Sequence, residues 1–144
     1  MRAEVFHQIY LHFVWSTLQR VPLLTEGRGD WVTERIQVEA EKREAWAHAR
    51  YTMPDHVHLL VSLPPSIAPS NFIGQVKGAV AFAYNREFGI GEKLLEWQQG
   101  FGVLSLRASE KDRVAAYIHQ QPQRHTDRQT HTLWATSETT ASSE

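Results

Sequence analysis

Residues Glu4 to Trp15 are rich in β-branched and aromatic side chains, and Ile9, Leu11, Phe13 and Trp15 fall on one face at a spacing of two. That pattern predicts a strand with one apolar face. A turn-like stretch follows through Pro22 and Gly27-Arg28-Gly29-Asp30. Trp31 to about Arg43 has few breakers and many helix formers, which predicts a helix with Val32 and Ile36 facing the core. Trp46 to Met53 and His56 to Leu63 read as a second and third strand joined by a Pro54-Asp55 turn, with Pro64-Pro65 closing the third. Ser70 has the chemistry to cap a helix running to about Phe88, with Phe72, Ile73, Val76 and Val80 as its apolar stripe and Gly89 as its C-cap. Leu94 to Leu106 is less regular and predicts one or two short strands broken at Gly100 and Gly102. Ser109 with Asp112 has capping-box spacing, so a last helix is expected over Glu110 to Gln121, limited by Pro122.

The order is strand, helix, strand, strand, helix, strand, helix. Its first six elements spell an α+β fold of the ferredoxin-like βαββαβ kind, an antiparallel sheet with helices on one face, to which the seventh adds a C-terminal helix. Such a sheet hosts many activities and by itself specifies none. After His125 the composition changes: Thr126 to Glu144 is mostly Thr, Ser, Gln, Glu and Asp, and reads as a disordered polar tail. The expected division is a folded domain over 1–125 and a tail over 126–144.

Composition narrows the chemistry. Apolar residues make up 42% of the chain, enough for a true core. There is no cysteine, so any metal must take nitrogen or oxygen ligands. The formal net charge of −1 argues against a strong non-specific binder of duplex DNA, although a local groove can be positive in a neutral chain. No apolar run approaches the roughly 18 residues of a membrane span, and no signal peptide is apparent. A cytoplasmic location is therefore expected.

The most informative segment is Met53-Pro54-Asp55-His56-Val57-His58-Leu59-Leu60. Residues two apart on a strand share a face, so His56 and His58 lie side by side while Val57, Leu59 and Val61 face the core. Two imidazoles on a rigid strand make half of a metal site. With eight histidines in the chain, a chance pair of half-exposed surface rings is the plain alternative. Asp55 could add a carboxylate there, or simply serve the turn. On the last helix Tyr117 and Gln121 are four apart and stack on one face. A glutamine carbonyl oxygen can bind a metal and a tyrosine oxygen can act as a nucleophile. A packing tyrosine with its hydroxyl in water is the alternative. If this helix crosses the face that holds His56 and His58, Gln121 could complete the site one helical turn from Tyr117.

Taken together, these residues resemble the single-tyrosine HUH transposases of the insertion-sequence 200/605 type, among them the repeat-associated tyrosine transposases. His12-Phe13-Val14-Trp15-Ser16-Thr17 with Arg20, Pro22 and Leu23 resembles that family's opening strand and turn. Met53 to Leu60 resembles its His-hydrophobic-His strand, and Gly100-Phe101-Gly102 to Ser105, then Tyr117-Ile118, Gln121 and His125, its closing segment. Arg124-His125 stands where the family often has two adjacent histidines. The resemblance implies His56, His58 and Gln121 as ligands of Mg²⁺ or Mn²⁺ and Tyr117 as the nucleophile that forms a 5′-phosphotyrosine. It also implies a homodimer and the recognition of hairpins in single-stranded DNA.

Lys77, Arg86, Arg107, Arg113 and Arg124 are candidate phosphate contacts, with solvation of an ordinary surface as the alternative for each. Tyr10, Tyr84 and Phe101 could stack on unpaired bases if exposed. Three other readings compete. A host-adapted endonuclease cleaving repeat hairpins would use the same residues. A metallohydrolase built on His56, His58 and Asp55 would not need Tyr117. A non-catalytic nucleic-acid-binding module would need neither metal nor tyrosine.

Overall fold

The computed structural model describes residues 6–120. Gln121, Arg124 and the polar tail lie outside the described residues. The elements are β1 (Tyr10–Ser16), a 3-10 turn at Leu18–Arg20, α1 (Arg28–Lys42), β2 (Trp46–Met53), β3 (His56–Ser62), α2 (Pro69–Phe88), β4 (Gly102–Leu106) and α3 (Ala108–His119). The strands form one sheet in the order β2-β3-β1-β4, with every neighbouring pair antiparallel. This is the predicted ferredoxin-like βαββαβ arrangement with an added C-terminal helix.

Strand alternation divides the sheet into two unlike faces. Leu11, Phe13 and Trp15 of β1 and Val57, Leu59 and Val61 of β3 are buried in the main core. α1 adds Val32, Ile36 and Ala40, and α2 adds Phe72, Ile73, Val76, Val80 and Tyr84. Full burial of each large apolar side chain stabilises by about 1.5–3 kcal/mol, so these two helices hold most of the fold. The opposite face carries a smaller cluster in which Ile118 of α3 packs on Ala49 and Leu60, flanked by Tyr51, Leu106, Val114, Ala115 and Tyr117. α3 therefore covers the face that α1 and α2 leave bare, making three layers.

A bulge lets β2 serve both faces. Pairing with β3 passes from Ala47 opposite Val61 to Ala49 opposite Leu60, which leaves His48 as the extra residue. The extra residue shifts the alternation by one. Ala47 lies in the main core, whereas Ala49 and Tyr51 turn towards α3.

Several local expectations are corrected. β1 begins at Tyr10 rather than Glu4, although Ile9 still packs on the core. α1 starts three residues early because Gly27, at φ 85°, turns the chain directly into it. Ser70 lies inside α2: the N-cap is Ala68, followed by Pro69, whose fixed φ and missing N–H suit the first turn. Gly89 does end α2, but at φ −82°; a Cβ there would run into the carbonyl oxygens of Asn85 and Glu92. At α3 the N-cap is Arg107, whose N–H donates to the Glu110 carboxylate at 3.0 Å, so Glu110 takes the role expected of Asp112. One strand, β4, forms over the irregular stretch, preceded by a single bridge between Trp97 and Thr17.

Gly29 sits in the first turn of α1 against β2, where an added Cβ would collide with Thr52 Oγ1 and press on the Leu24 carbonyl. Helix propensity alone would make Gly29→Ala stabilising by about 1 kcal/mol. The collision reverses the sign, and a loss of about 1–3 kcal/mol is expected in urea unfolding. Thr52→Ala removes the colliding atom, so the double variant should be more stable than the sum of the two single changes.

Candidate active site

The antiparallel register of β1 and β3 builds a row of three imidazoles on the α3 side of the sheet. His12 lies opposite Leu60, and Val14 lies opposite His58. His12 and His58 are thus diagonal neighbours on one face, close enough for long side chains to meet. His12 Nε2 and His58 Nδ1 are 3.1 Å apart. Ring centroids are 5.3 Å apart for His12 and His58, and 5.2 Å for His56 and His58. The expected pair His56 and His58 does share a face, but the rings are buried, at 3% and 0% exposure, which removes the reading as half-exposed surface side chains.

Each member of the pair has its Nδ1 engaged. His56 Nδ1 meets the Asp55 carboxylate at 2.8 Å, so the turn aspartate also orients a ring. The Asp55 backbone is itself held, because its carbonyl accepts the Thr17 N–H at 2.9 Å. Nδ1 of His58 faces His12. Nε2 is therefore the nitrogen through which either ring could bind an ion. Imidazoles whose second nitrogen is held by a carboxylate or another acceptor are a donor set that fits a divalent transition-metal ion. Among the described residues, no group of three or more His, Cys, Asp or Glu is arranged to hold a metal, so this pair would need a ligand of another type. The expected one, Gln121, lies outside the described residues.

Tyr117 is on the same side of the sheet. It is half-buried in the last turns of α3, and its hydroxyl oxygen is turned away from solvent, unlike that of an ordinary surface tyrosine. It lines a cleft of about 520 Å³ between α3 and β4, together with His12, Leu104, Leu106, Val114 and Arg113. His12 thus links the two parts of the site: it borders the tyrosine cleft and touches His58. The residue-by-residue reading gave His12 no role. The signal was its place two before Val14 on the non-core face of β1, but its nearness to His58 depends on the register of β1 against β3, which sequence periodicity does not locate.

The basic candidates divide by environment. Arg107 and Arg113 are exposed on α3, and Arg113 pairs with Glu110 at 3.4 Å. Arg86 is exposed near the end of α2. Lys77 instead donates to the carbonyls of Gln98 at 3.0 Å and Gly100 at 2.9 Å, which fixes the segment leading into β4; burial lowers its pKa to about 8. Of the aromatic candidates, Tyr84 is buried in the main core and Phe101 packs against it, which leaves half-buried Tyr10.

Burial pushes the His12 imidazole down from 6.5 to about 4, so the ring is neutral at pH 7. A depressed folded-state pKa means that the unfolded chain takes up the proton first as pH falls. Stability from this group is complete above about pH 6.5 and is lost progressively towards pH 4. At 1.36 kcal/mol per pH unit the loss amounts to about 3 kcal/mol. Urea titrations of metal-free protein between pH 7.5 and 4 should show this slope, and His12→Phe should flatten it.

Comparison with known proteins agrees with this geometry. The profile of a family described as "Transposase IS200 like" matches residues 5–121. The chain is 26% identical over 121 residues to the ISDra2 transposase TnpA of Deinococcus radiodurans, covering 80% of this chain and 85% of that protein. A crystal structure of a candidate transposase from Deinococcus radiodurans R1 shares the fold with a TM-score of 0.66 at 22% identity, over 84% of this chain and 97% of the other. A REP-associated tyrosine transposase bound to a REP hairpin shares it with a TM-score of 0.61 at 21% identity, over 86% and 74%. No helix among the described residues is long and apolar enough to cross a membrane. A family match that spans the sheet, the histidine pair and the tyrosine helix makes this chain a member of the IS200-like transposase family.

Proposed function

We propose that this chain cleaves and rejoins single-stranded DNA at hairpin-flanked ends, with Tyr117 as nucleophile and with His56, His58 and Gln121 as ligands of Mg²⁺ or Mn²⁺. The observation that carries the reading is the cleft between α3 and β4, which Tyr117 shares with His12, the residue that touches His58. When bound, the ion would neutralise phosphate charge and polarise phosphorus, and two imidazole ligands favour Mn²⁺ over Mg²⁺ in intrinsic affinity.

The chain's own residues account for the rest. A free phenol has a pKa of about 10 and is a weak nucleophile at neutral pH until its proton is withdrawn. Attack by Tyr117 Oη on phosphorus forms a tyrosyl phosphodiester and breaks the bond to the 3′ oxygen. That oxygen leaves as a hydroxyl, taking up a proton equivalent to the one the phenol gives up. The DNA 5′ end stays on Tyr117 as a diester, so no bond energy is released to water. A second 3′-hydroxyl can reverse the step on a new strand and restore the phenol. A metallohydrolase would activate water instead, lose that energy and have no use for Tyr117.

Holding the strand falls to the exposed cations. Arg113 at the cleft and Arg107 at the start of α3 are suited to phosphate, with Arg86 and Arg124 as further candidates. Lys77, already bonded to two carbonyls, would serve by fixing the loop before β4. The hairpin bound in the REP-associated relative supports a folded-back single strand as substrate. A homodimer is part of this proposal, with Tyr117 serving the histidines of its own subunit or of its partner.

The test is a denaturing gel with labelled single-stranded oligonucleotides that carry hairpins from the flanks of the gene. The expected result is a slow band that needs Mn²⁺ or Mg²⁺ and disappears in Tyr117→Phe, with His56→Ala and His58→Ala both reduced to background. Cleavage that survives Tyr117→Phe without a slow band would instead identify a hydrolase.

A further inference from the structure

We propose that His12 is a positioning residue for His58: by accepting the His58 Nδ1 proton, it fixes the tautomer that turns a bare Nε2 towards the metal. This rests on the metal reading of the site given above. The two nitrogens are 3.1 Å apart in a buried pair, so one must donate and the other accept. Only two arrangements of neutral rings meet that condition. If His12 Nε2 carried the proton, His58 Nδ1 would accept, and the His58 proton would sit on Nε2, where it blocks ligation. If His58 Nδ1 carries it, His58 Nε2 presents a lone pair. Ligation through His58 Nε2 thus requires His12 to be the acceptor.

The placement is held on every side. His12 is 2% exposed, and its backbone is paired between β3 and β4, opposite Leu60 and Leu104. Its ring lies 5.3 Å from that of His58, centroid to centroid, at a tilt of 31°. Asp55 does the same for His56 at 2.8 Å. The two ligand rings are therefore set by different means, one by a carboxylate at the strand's start and the other by a neutral imidazole across the sheet. A carboxylate buried at position 12 would add a charge next to the tyrosine cleft, whereas an imidazole accepts the same hydrogen bond without one.

The test has two readouts, of which the first requires neither metal nor activity. Long-range proton–nitrogen NMR correlations on metal-free wild-type protein at pH 7.5 should show His58 protonated at Nδ1 and His12 bare at Nε2. The opposite assignment overturns the proposal. The second readout is Mn²⁺ affinity, followed by the electron spin resonance signal of the free ion. Removal of an outer-shell partner weakens metal binding about 10–100-fold, so His12→Phe should bind Mn²⁺ at least about 10-fold more weakly. His12→Gln, which places a carbonyl oxygen near the position of Nε2, should restore most of the affinity. Wild-type affinity in a folded His12→Phe overturns this role while leaving the metal reading intact. Failure of the wild type to bind Mn²⁺, or His58→Ala binding as tightly as wild type, overturns the metal reading and this role with it.

Discussion

The antiparallel pairing of β1 with β3 is the constraint on which everything else depends. These two central strands are covered on both sides, so each must satisfy two faces at once. Leu11, Phe13 and Trp15 interleave with Val57, Leu59 and Val61 on the side of α1 and α2. The same register then brings His12 beside His58 on the other side. A slip of one residue would exchange the faces, burying imidazoles among aliphatic side chains and turning tryptophan and phenylalanine towards α3. The main core therefore fixes the geometry of the site. The stability of one face specifies the chemistry of the other.

The two faces are built to different standards. α1 and α2 each bury a stripe of large side chains, whereas α3 buries only Ile118 completely. A helix held by so small a cluster is bound more weakly than the rest of the sheet's cover. The segment before β4 is treated in the opposite way. Asn85 bonds both backbone groups of Leu95, Lys77 bonds two carbonyls, and Trp97 Nε1 donates to the Lys77 carbonyl. Those bonds fix the segment that leads into β4 on the side of the main core.

Much of this was legible in the sequence, because period-two and helical alternation are strong where burial is one-sided. β2 is found at its predicted limits, β3 ends one residue early, and the α2 stripe is buried as expected. The shared face of His56 and His58 and the helix bearing Tyr117 were legible as geometry. What was hidden depends on contacts between distant segments. Ser70 and Ser109 have capping chemistry, but the N-caps are Ala68, backed by Pro69, and Arg107, backed by Glu110. The bulge at His48 leaves no local mark in Ala47-His48-Ala49. His12 reads as one polar position on a strand until the pairing of β1 with β3 sets it beside His58. Lys77 looked like a surface cation because nothing in α2 reveals the carbonyls that receive it.

The central claim is that Tyr117, and no other side chain, becomes joined to DNA. The direct measurement is mass spectrometry of the linked protein after digestion with trypsin and nuclease. Cleavage after Arg113 and Arg124 releases residues 114–124, whose only tyrosine is Tyr117. The account predicts a nucleotide mass on that peptide, with fragmentation placing it on Tyr117. A nucleotide on Tyr10, Tyr51 or Tyr84, or cleaved DNA with no modified peptide, would contradict it.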